Sequence, residues 1–291
     1  MRYAYVNGQY CRHGDAAVHV EDRGFQFADA VYEVWSVRNG ALLDADGHFK
    51  RLARSLGELR IAMPRSRPAL MRVIKELLRR NRVRDGLVYL QVSRGQARRD
   101  HAFPKHPVEP TIVLTCKRLD FIAADARAED GIAVITVPDQ RWARCDIKTV
   151  NLLPNVLAKQ AAQEAGAVEA WLVDGDGHVT EGSSTNAWIV TKAGKLITRQ
   201  ADNGILHGIT RSRIFQCAQT LGLDVEERSF SPEEAFDARE AFLTSATSFV
   251  TPVVSIDNHP IANGKPGSLA LALRQAYLAK AGVDGPAYHA K

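Results

Sequence analysis

The chain has 291 residues, 45% of them hydrophobic and 24% charged, which suits a folded protein with a large core or two domains and excludes a disordered polymer. Its net charge of +5 comes from arginines scattered along the chain rather than from a basic block, so the surface attracts anions only modestly and no nucleic-acid partner is expected. Four cysteines (Cys11, Cys116, Cys145, Cys217) lie far apart without metal-ligand spacing, and neither a signal-peptide pattern nor a membrane-length apolar run is present. A cytoplasmic protein with free thiols is expected, with no metal and no membrane partner.

In chain order, Tyr3 to Val6, Asn7-Gly8 and Gln9 to Arg12 predict a hairpin, because Asn-Gly accepts the positive φ of a tight turn. Val31 to Arg38, Asn39-Gly40 and Ala41 to Asp44 predict a second hairpin. Phe49, Leu52, Leu56 and Leu59 recur at helical spacing and Pro64 ends that helix; Leu70, Val73, Ile74, Leu77 and Leu78 repeat the pattern. Leu87 to Arg94 and Thr111 to Lys117 return to strand, giving an α+β segment with helices on an antiparallel sheet. Between Arg118 and Asp130 the pattern breaks into a stretch rich in Ala and Asp, and the interdomain linker is placed near its start. Strands then follow at Ile132 to Val137, Val168 to Val173, Ala187 to Val190, Leu196 to Thr198 and Ala241 to Leu243. Helices interrupt them at Leu152 to Ala165, at Thr210 to Leu221 and from Ser231, whose capping-box partner is Glu234. The chain reads as two α+β domains without a repeat or a Rossmann-type glycine loop, and a small ligand is expected between them.

Three stretches carry possible chemistry. Lys148 lies between Ile147 and Val150 and runs into Asn151-Leu152-Leu153. A lysine in apolar surroundings loses the solvation that favours its charged form, and its neutral amine is a nucleophile for an aldehyde. Equally, such a lysine can pack its stem on a core while its amine reaches water. Glu181 stands in Thr180-Glu181-Gly182-Ser183-Ser184-Thr185, where a carboxylate could hold a pyridinium nitrogen protonated or the hydroxyls could simply satisfy a turn. Gly208-Ile209-Thr210-Arg211 opens a helix whose free N–H groups suit a phosphate, although a helix start with no ligand gives the same pattern.

Taken together, these stretches resemble the D-amino acid aminotransferases, within the fold-type-IV group that also holds branched-chain aminotransferases and aminodeoxychorismate lyases. The resemblance runs from Tyr3 to about Pro252. It rests on Glu21-Asp22-Arg23-Gly24-Phe25-Gln26-Phe27, Val31-Tyr32-Glu33-Val34, Asp146-Ile147-Lys148 with Asn151-Leu152-Leu153, Thr180-Glu181-Gly182-Ser183-Ser184, and Gly208-Ile209-Thr210-Arg211. It implies a two-domain fold-type-IV enzyme with a smaller N-terminal α/β sandwich over 1–118, a linker over 119–123, and a larger cofactor-binding pseudo-barrel domain over 124–291. The implied cofactor is pyridoxal 5'-phosphate, with Lys148 as the Schiff-base lysine and proton shuttle and Glu181 as partner of the pyridine nitrogen. Arg51, Ile209, Thr210 and Ser245 are implied for the phosphate, with Leu206 and Ser184 completing the cofactor set and Ser184 a relay toward Lys148. Ala246 stands where the family usually has Thr, so only its backbone N–H could serve; losing one neutral hydrogen bond should cost about 1 kcal/mol. Ala28 and Ala30 replace family glycines, and no function is attached to His207.

Tyr32, Val34 and Ser36 share one strand face, which the resemblance puts in the active site. Arg99-Asp100-His101 fits the family's Arg-x-His loop, by which a neighbouring subunit joins the tyrosine to hold the substrate carboxylate; alone, Arg98-Arg99 could be a solvated basic tip. The implied reaction is ping-pong transamination in a homodimer, from a D-amino acid such as D-alanine to 2-oxoglutarate or pyruvate. Alternatives are an aminodeoxychorismate lyase, another fold-type-IV aminotransferase acting on branched-chain amino acids or (R)-amines, or a catalytically silent cofactor-binding protein.

Overall fold

The computed structural model describes residues 2–281. The chain folds as two compact units, one running up to Asp120 and including Ile147–Asn151, the other formed by Phe121–Asp146 and the chain from Leu152 onward. The last ten positions of the expected C-terminal segment, 282–291, lie outside the described residues.

The first unit opens with β1 (Tyr3–Val6) and β2 (Gln9–Arg12), joined by Asn7 at φ 45° and Gly8 at φ 99°, the backbone that Asn-Gly adopts at least cost. A short helix, α1 (Arg23–Phe27), is capped by the Asp22 carboxylate, which accepts from the Gly24 and Phe25 amides. β3 (Ala30–Arg38) and β4 (Ala41–Leu42) form the second expected hairpin. Then come α2 (Ala45–Glu58), α3 (Arg67–Asn81), β5 (Gly86–Ser93) and β6 (Ile112–Arg118). The strands make one antiparallel sheet in the order β2-β1-β6-β5-β3-β4. Phe49, Leu52 and Leu56 of α2 and Leu70, Ile74 and Leu77 of α3 join Trp35, Val88 and Leu90 of the sheet in one core. Burying each such side chain contributes roughly 1.5–3 kcal/mol.

Residues Ile147–Asn151 extend this sheet along β3. The Tyr32 N–H donates to the Lys148 carbonyl at 3.0 Å and the Val150 N–H to the Ala30 carbonyl at 3.2 Å. Val31 and Thr149 form the antiparallel bridge between them. Ile147 sinks into the α2–α3 core, so the lysine that follows it is carried by a fixed backbone.

The second unit begins with α4 (Phe121–Asp130), a helix where the sequence suggested none. Only Phe121 and Ala128 are buried on it, two turns apart, too sparse a stripe to show as periodicity. The stretch expected as linker, 119–123, enters the first turn of this helix. β7 (Ile132–Pro138), α5 (Leu153–Glu164), β8 (Glu169–Val173), β9 (Val179–Gly182), β10 (Asn186–Val190), β11 (Leu196–Thr198) and α6 (Ile209–Thr220) follow. The chain continues through β12 (Val225–Glu227), α7 (Pro232–Phe236), β13 (Glu240–Ser245), β14 (Phe249–Ile256), β15 (His259–Pro260) and α8 (Ser268–Lys280). Nine strands form a curled mixed sheet in the order β12-β11-β10-β13-β14-β7-β8-β9, with β15 beside β14. The β11–β12, β14–β7 and β7–β8 pairs are parallel. The buried Glu240 carboxylate accepts from the Leu269 and Ala270 amides and so caps α8, and Gly267 leaves room for it.

Candidate active site

In the first unit the lysine stands at the sheet edge. Lys148 is half-buried, its own N–H donates to Ser55 Oγ at 3.3 Å, and its Nζ lies 4.2 Å from the centre of the Tyr32 ring. Tyr32 stacks in turn on Tyr89, with ring centres 5.6 Å apart, and burial pushes the Tyr89 hydroxyl up to about 12. Period two sends the next residue of β3, Glu33, to the opposite face, where it is wholly buried against α2. There Arg51 donates through Nε at 2.8 Å and Nη2 at 2.9 Å to its two oxygens, and His48 Nδ1 lies 2.7 Å from Oε2. Burial opposes the charge on Glu33, but the Arg51 charge and hydrogen bonds outweigh it and hold the carboxyl at about 2. Burial pushes His48 below the ordinary histidine value despite Glu33, and the charges of Arg51 and Lys148 add to that push. Glu33 thus fixes one edge of the Arg51 fork and turns the other edge away from itself.

Arg99 and His101 stand exposed on the loop after β5. Both pack on one ring of α1: the Arg99 Cζ is 4.8 Å from the Phe27 centroid and the His101 ring 5.5 Å from it.

In the second unit Glu181, 5% exposed on β9, is gripped from three sides. Arg141 Nη1 donates to Oε1, Asn186 Nδ2 to Oε2 at 2.9 Å, and the Leu206 amide to both oxygens at 3.1 and 3.2 Å. Arg141 is itself held by Asp139, donating Nε to Oδ1 at 2.9 Å and Nη2 to Oδ2 at 2.7 Å. Burial opposes the Arg141 charge, yet the Asp139 hydrogen bonds and the Glu181 charge raise it above the ordinary arginine value. Three donors converge on Glu181, which fixes its oxygens as acceptors, the role a pyridinium N–H requires.

Asn186 ties this carboxylate to the start of α6. Its Nδ2 also donates to the Leu206 carbonyl at 3.0 Å, and a Cβ at Gly208 would collide with its Oδ1. α6 begins at Gly208 with no side-chain cap, leading into Ile209 and the buried Thr210, so its first amides suit an anion. On the neighbouring strand Thr244 pairs with Asn186, and Ser245 follows, its Oγ 2.6 Å from Ser248 Oγ. Ala246 is half-buried in the same turn. Ser184 donates to Glu169 Oε2 at 3.1 Å; Ser183 and Thr185 donate to the same carboxylate, which is 1% exposed on β8.

Sequence reasoning missed Glu33, His48, Asp139, Arg141, Glu169 and Asn186. Two of them left a signal. Glu33 falls in phase with Val31, Trp35 and Val37 on a buried strand face, and Glu169 opens an otherwise apolar strand. A carboxylate in such a place needs a partner.

The family model for amino-transferase class IV matches residues 30–256. The D-alanine aminotransferase of Bacillus licheniformis is 42% identical over 263 residues, covering 90% of this chain and 91% of that protein. The D-alanine aminotransferase of Staphylococcus aureus (strain N315) is 38% identical over 277 residues, 95% of this chain and 97% of that protein. Among solved structures, a branched-chain amino acid aminotransferase from Escherichia coli matches with a TM-score of 0.87 at 23% identity, covering 99% of this chain and 97% of that one. A T.th. branched-chain amino acid aminotransferase with pyridoxamine 5'-phosphate matches with a TM-score of 0.84 at 27% identity, covering 96% and 94%.

Proposed function

Because the chain belongs to the class IV aminotransferases, we propose that it moves the amino group of a D-amino acid such as D-alanine to 2-oxoglutarate or pyruvate by a ping-pong mechanism. The cofactor is pyridoxal 5'-phosphate. Bound, it supplies an electron sink that makes the substrate Cα proton removable and stores the amino group between half-reactions. The residues present fit that group: an amine at Lys148, a carboxylate at Glu181 with three donors on it, and an uncapped helix start at Gly208. Lys148 Nζ would be the attachment point for the cofactor and the base for the substrate Cα proton. Glu181 accepts the ring N–H. Ile209, Thr210, Ser245, the Ala246 amide and the Arg51 guanidinium hold the phosphate. Tyr32, with Arg99 and His101 from the partner in a homodimer, holds the substrate carboxylate so that the Cα–H bond faces the lysine. Ser184, whose hydroxyl donates to Glu169, offers the site lone pairs only. No helix among the described residues is long and apolar enough to cross a membrane, and four free thiols suit the reducing cytoplasm in which we place the enzyme.

The observation that carries this reading is the grip on Glu181. The test is a single half-reaction: D-alanine is expected to bleach the visible band of the bound cofactor and L-alanine to leave it. Borohydride should label Lys148 and find nothing in Lys148→Ala. Bleaching by L-leucine in place of D-alanine would hand the site to the branched-chain reaction, and a label on another lysine would end the assignment.

A further inference from the structure

The stretch Glu21 to Phe27 holds the loop that carries Arg99 and His101. Arg23, 3% exposed, donates through Nη1 to the Asp100 carbonyl at 2.6 Å and through Nη2 to the His101 carbonyl at 3.4 Å. Its Nε donates to Asp29 Oδ2 at 2.8 Å. Asp29 also receives one edge of Arg94, Nε at 2.7 Å and Nη2 at 2.9 Å, and Arg94 caps the Leu59 and Arg60 carbonyls. Two guanidinium groups therefore share the Asp29 carboxylate beside the loop carbonyls. The Arg23 backbone N–H donates to the Gly95 carbonyl at 3.0 Å and the Ala97 N–H to the Glu21 carbonyl at 3.2 Å. Both ends of the motif are thereby stitched to the strand-to-loop crossing.

Phe27 completes the arrangement. Arg23 lies over its ring at 4.8 Å, Arg99 lies over it at 4.8 Å, and His101 leans on it at 5.5 Å. An exposed loop of polar residues has no reason of its own to hold one shape. Here its backbone hangs from a buried guanidinium, and its two functional side chains rest on one aromatic plane.

We propose that Arg23 and Phe27 are positioning residues for substrate specificity: Arg23 fixes the backbone of the Arg99–His101 loop and Phe27 sets the spread of the two side chains, so the carboxylate trap is preformed within the subunit that donates it. This rests on the reading of Arg99 and His101 as the carboxylate-binding pair. A Cβ at Gly24 would press on Ser93 and Asp22, which is why α1 can sit close enough for Arg23 to reach the loop.

The test compares Arg23→Lys, Phe27→Leu and Arg99→Ala in the holoenzyme. Lysine keeps the charge and reaches Asp29 but cannot span both carbonyls. Arg23→Lys should raise KM for D-alanine about tenfold with kcat for a simple primary amine unchanged, and Phe27→Leu should raise it about threefold. Amide hydrogen exchange across residues 97–103 should quicken in Arg23→Lys. A merely structural role would lower stability and damage amine and amino-acid reactions alike, and that outcome overturns the proposal. So does an unchanged D-alanine KM in Arg23→Lys while Arg99→Ala shows its selective loss, which leaves the carboxylate reading standing. If Arg99→Ala loses nothing on D-alanine, that reading falls and the specificity proposal with it. If Arg23→Lys fails to fold, Phe27→Leu, which touches only the ring contacts, decides through the same KM split.

Discussion

Each unit holds an arginine–carboxylate cluster at its candidate site, and the two clusters are built in opposite senses. In the first, Glu33 lies wholly inside and grips one edge of Arg51, so the acid is the brace and the arginine is the braced group. In the second, Asp139 and Glu181 flank Arg141, which also donates to the Thr180 hydroxyl and the Gly204 carbonyl. There the arginine is the brace, and the Glu181 carboxylate is the braced group. A buried ion pair adds little net stability against its desolvation, so its value lies in fixing which charge faces a ligand. One arrangement suits an anion such as a phosphate, the other a protonated ring nitrogen.

The comparison breaks first at the braces. Arg141→Met strips the buried Glu181 and the half-buried Asp139 of their counter-ion and should cost about 3–5 kcal/mol of stability by chemical denaturation. Glu33→Gln orphans a single charge and should cost less, about 3 kcal/mol. Equal losses would mean that the two clusters are not built differently. The acid limb separates them further. Glu33, held at about 2, contributes stability that is complete above the usual carboxylate value near 4.5 and disappears as pH falls from there toward 2. His48, held low by burial, takes up its proton more readily when unfolded, so stability starts to fall below the ordinary histidine value near 6.5. Denaturation curves from pH 7 to 2 should show both slopes in the parent, and Glu33→Gln should flatten the lower one, leaving the share of the likewise lowered Asp139.

The site residues give smaller effects. Glu181→Gln keeps the shape but removes the charge, and kcat should fall about 100-fold with little change in KM, read in steady-state assays with D-alanine. Stability should fall as well, by about 1–3 kcal/mol, because the amide nitrogen turns a donor toward the donors that the lost oxygen accepted. Ala246→Thr adds one hydroxyl near the phosphate position and should tighten cofactor binding about fivefold, measured by titration of the apoenzyme.

The two hairpins, α2 and α3 of the first unit and the strand runs around them were legible because Asn-Gly turns and 3.6-residue apolar spacing are local signals. α8 was not: Ser268-Leu269-Ala270-Leu271-Ala272-Leu273 alternates like a strand, and only the high helix propensity of Leu and Ala with the Glu240 cap decides it. β14 was hidden by Pro252, which sits inside a strand paired on both sides. At the site, motif residues such as Lys148 and Glu181 could be named, whereas their braces could not. Arg141 reaches Glu181 across forty positions, and Arg51 reaches Glu33 from a helix; no spacing in the chain announces either.

Residues 147–151 belong to the sheet of the first unit, yet they are synthesised after the start of the second. While the ribosome is still making α4 and β7, the Ala30–Tyr32 edge stands with its amides and carbonyls unclaimed, a template on which another nascent chain could pair. At about 5–20 residues per second that interval lasts on the order of seconds. The strand that closes the edge is also the one that delivers Lys148, so the same translation event that makes the sheet safe from its neighbours puts the reactive amine in place.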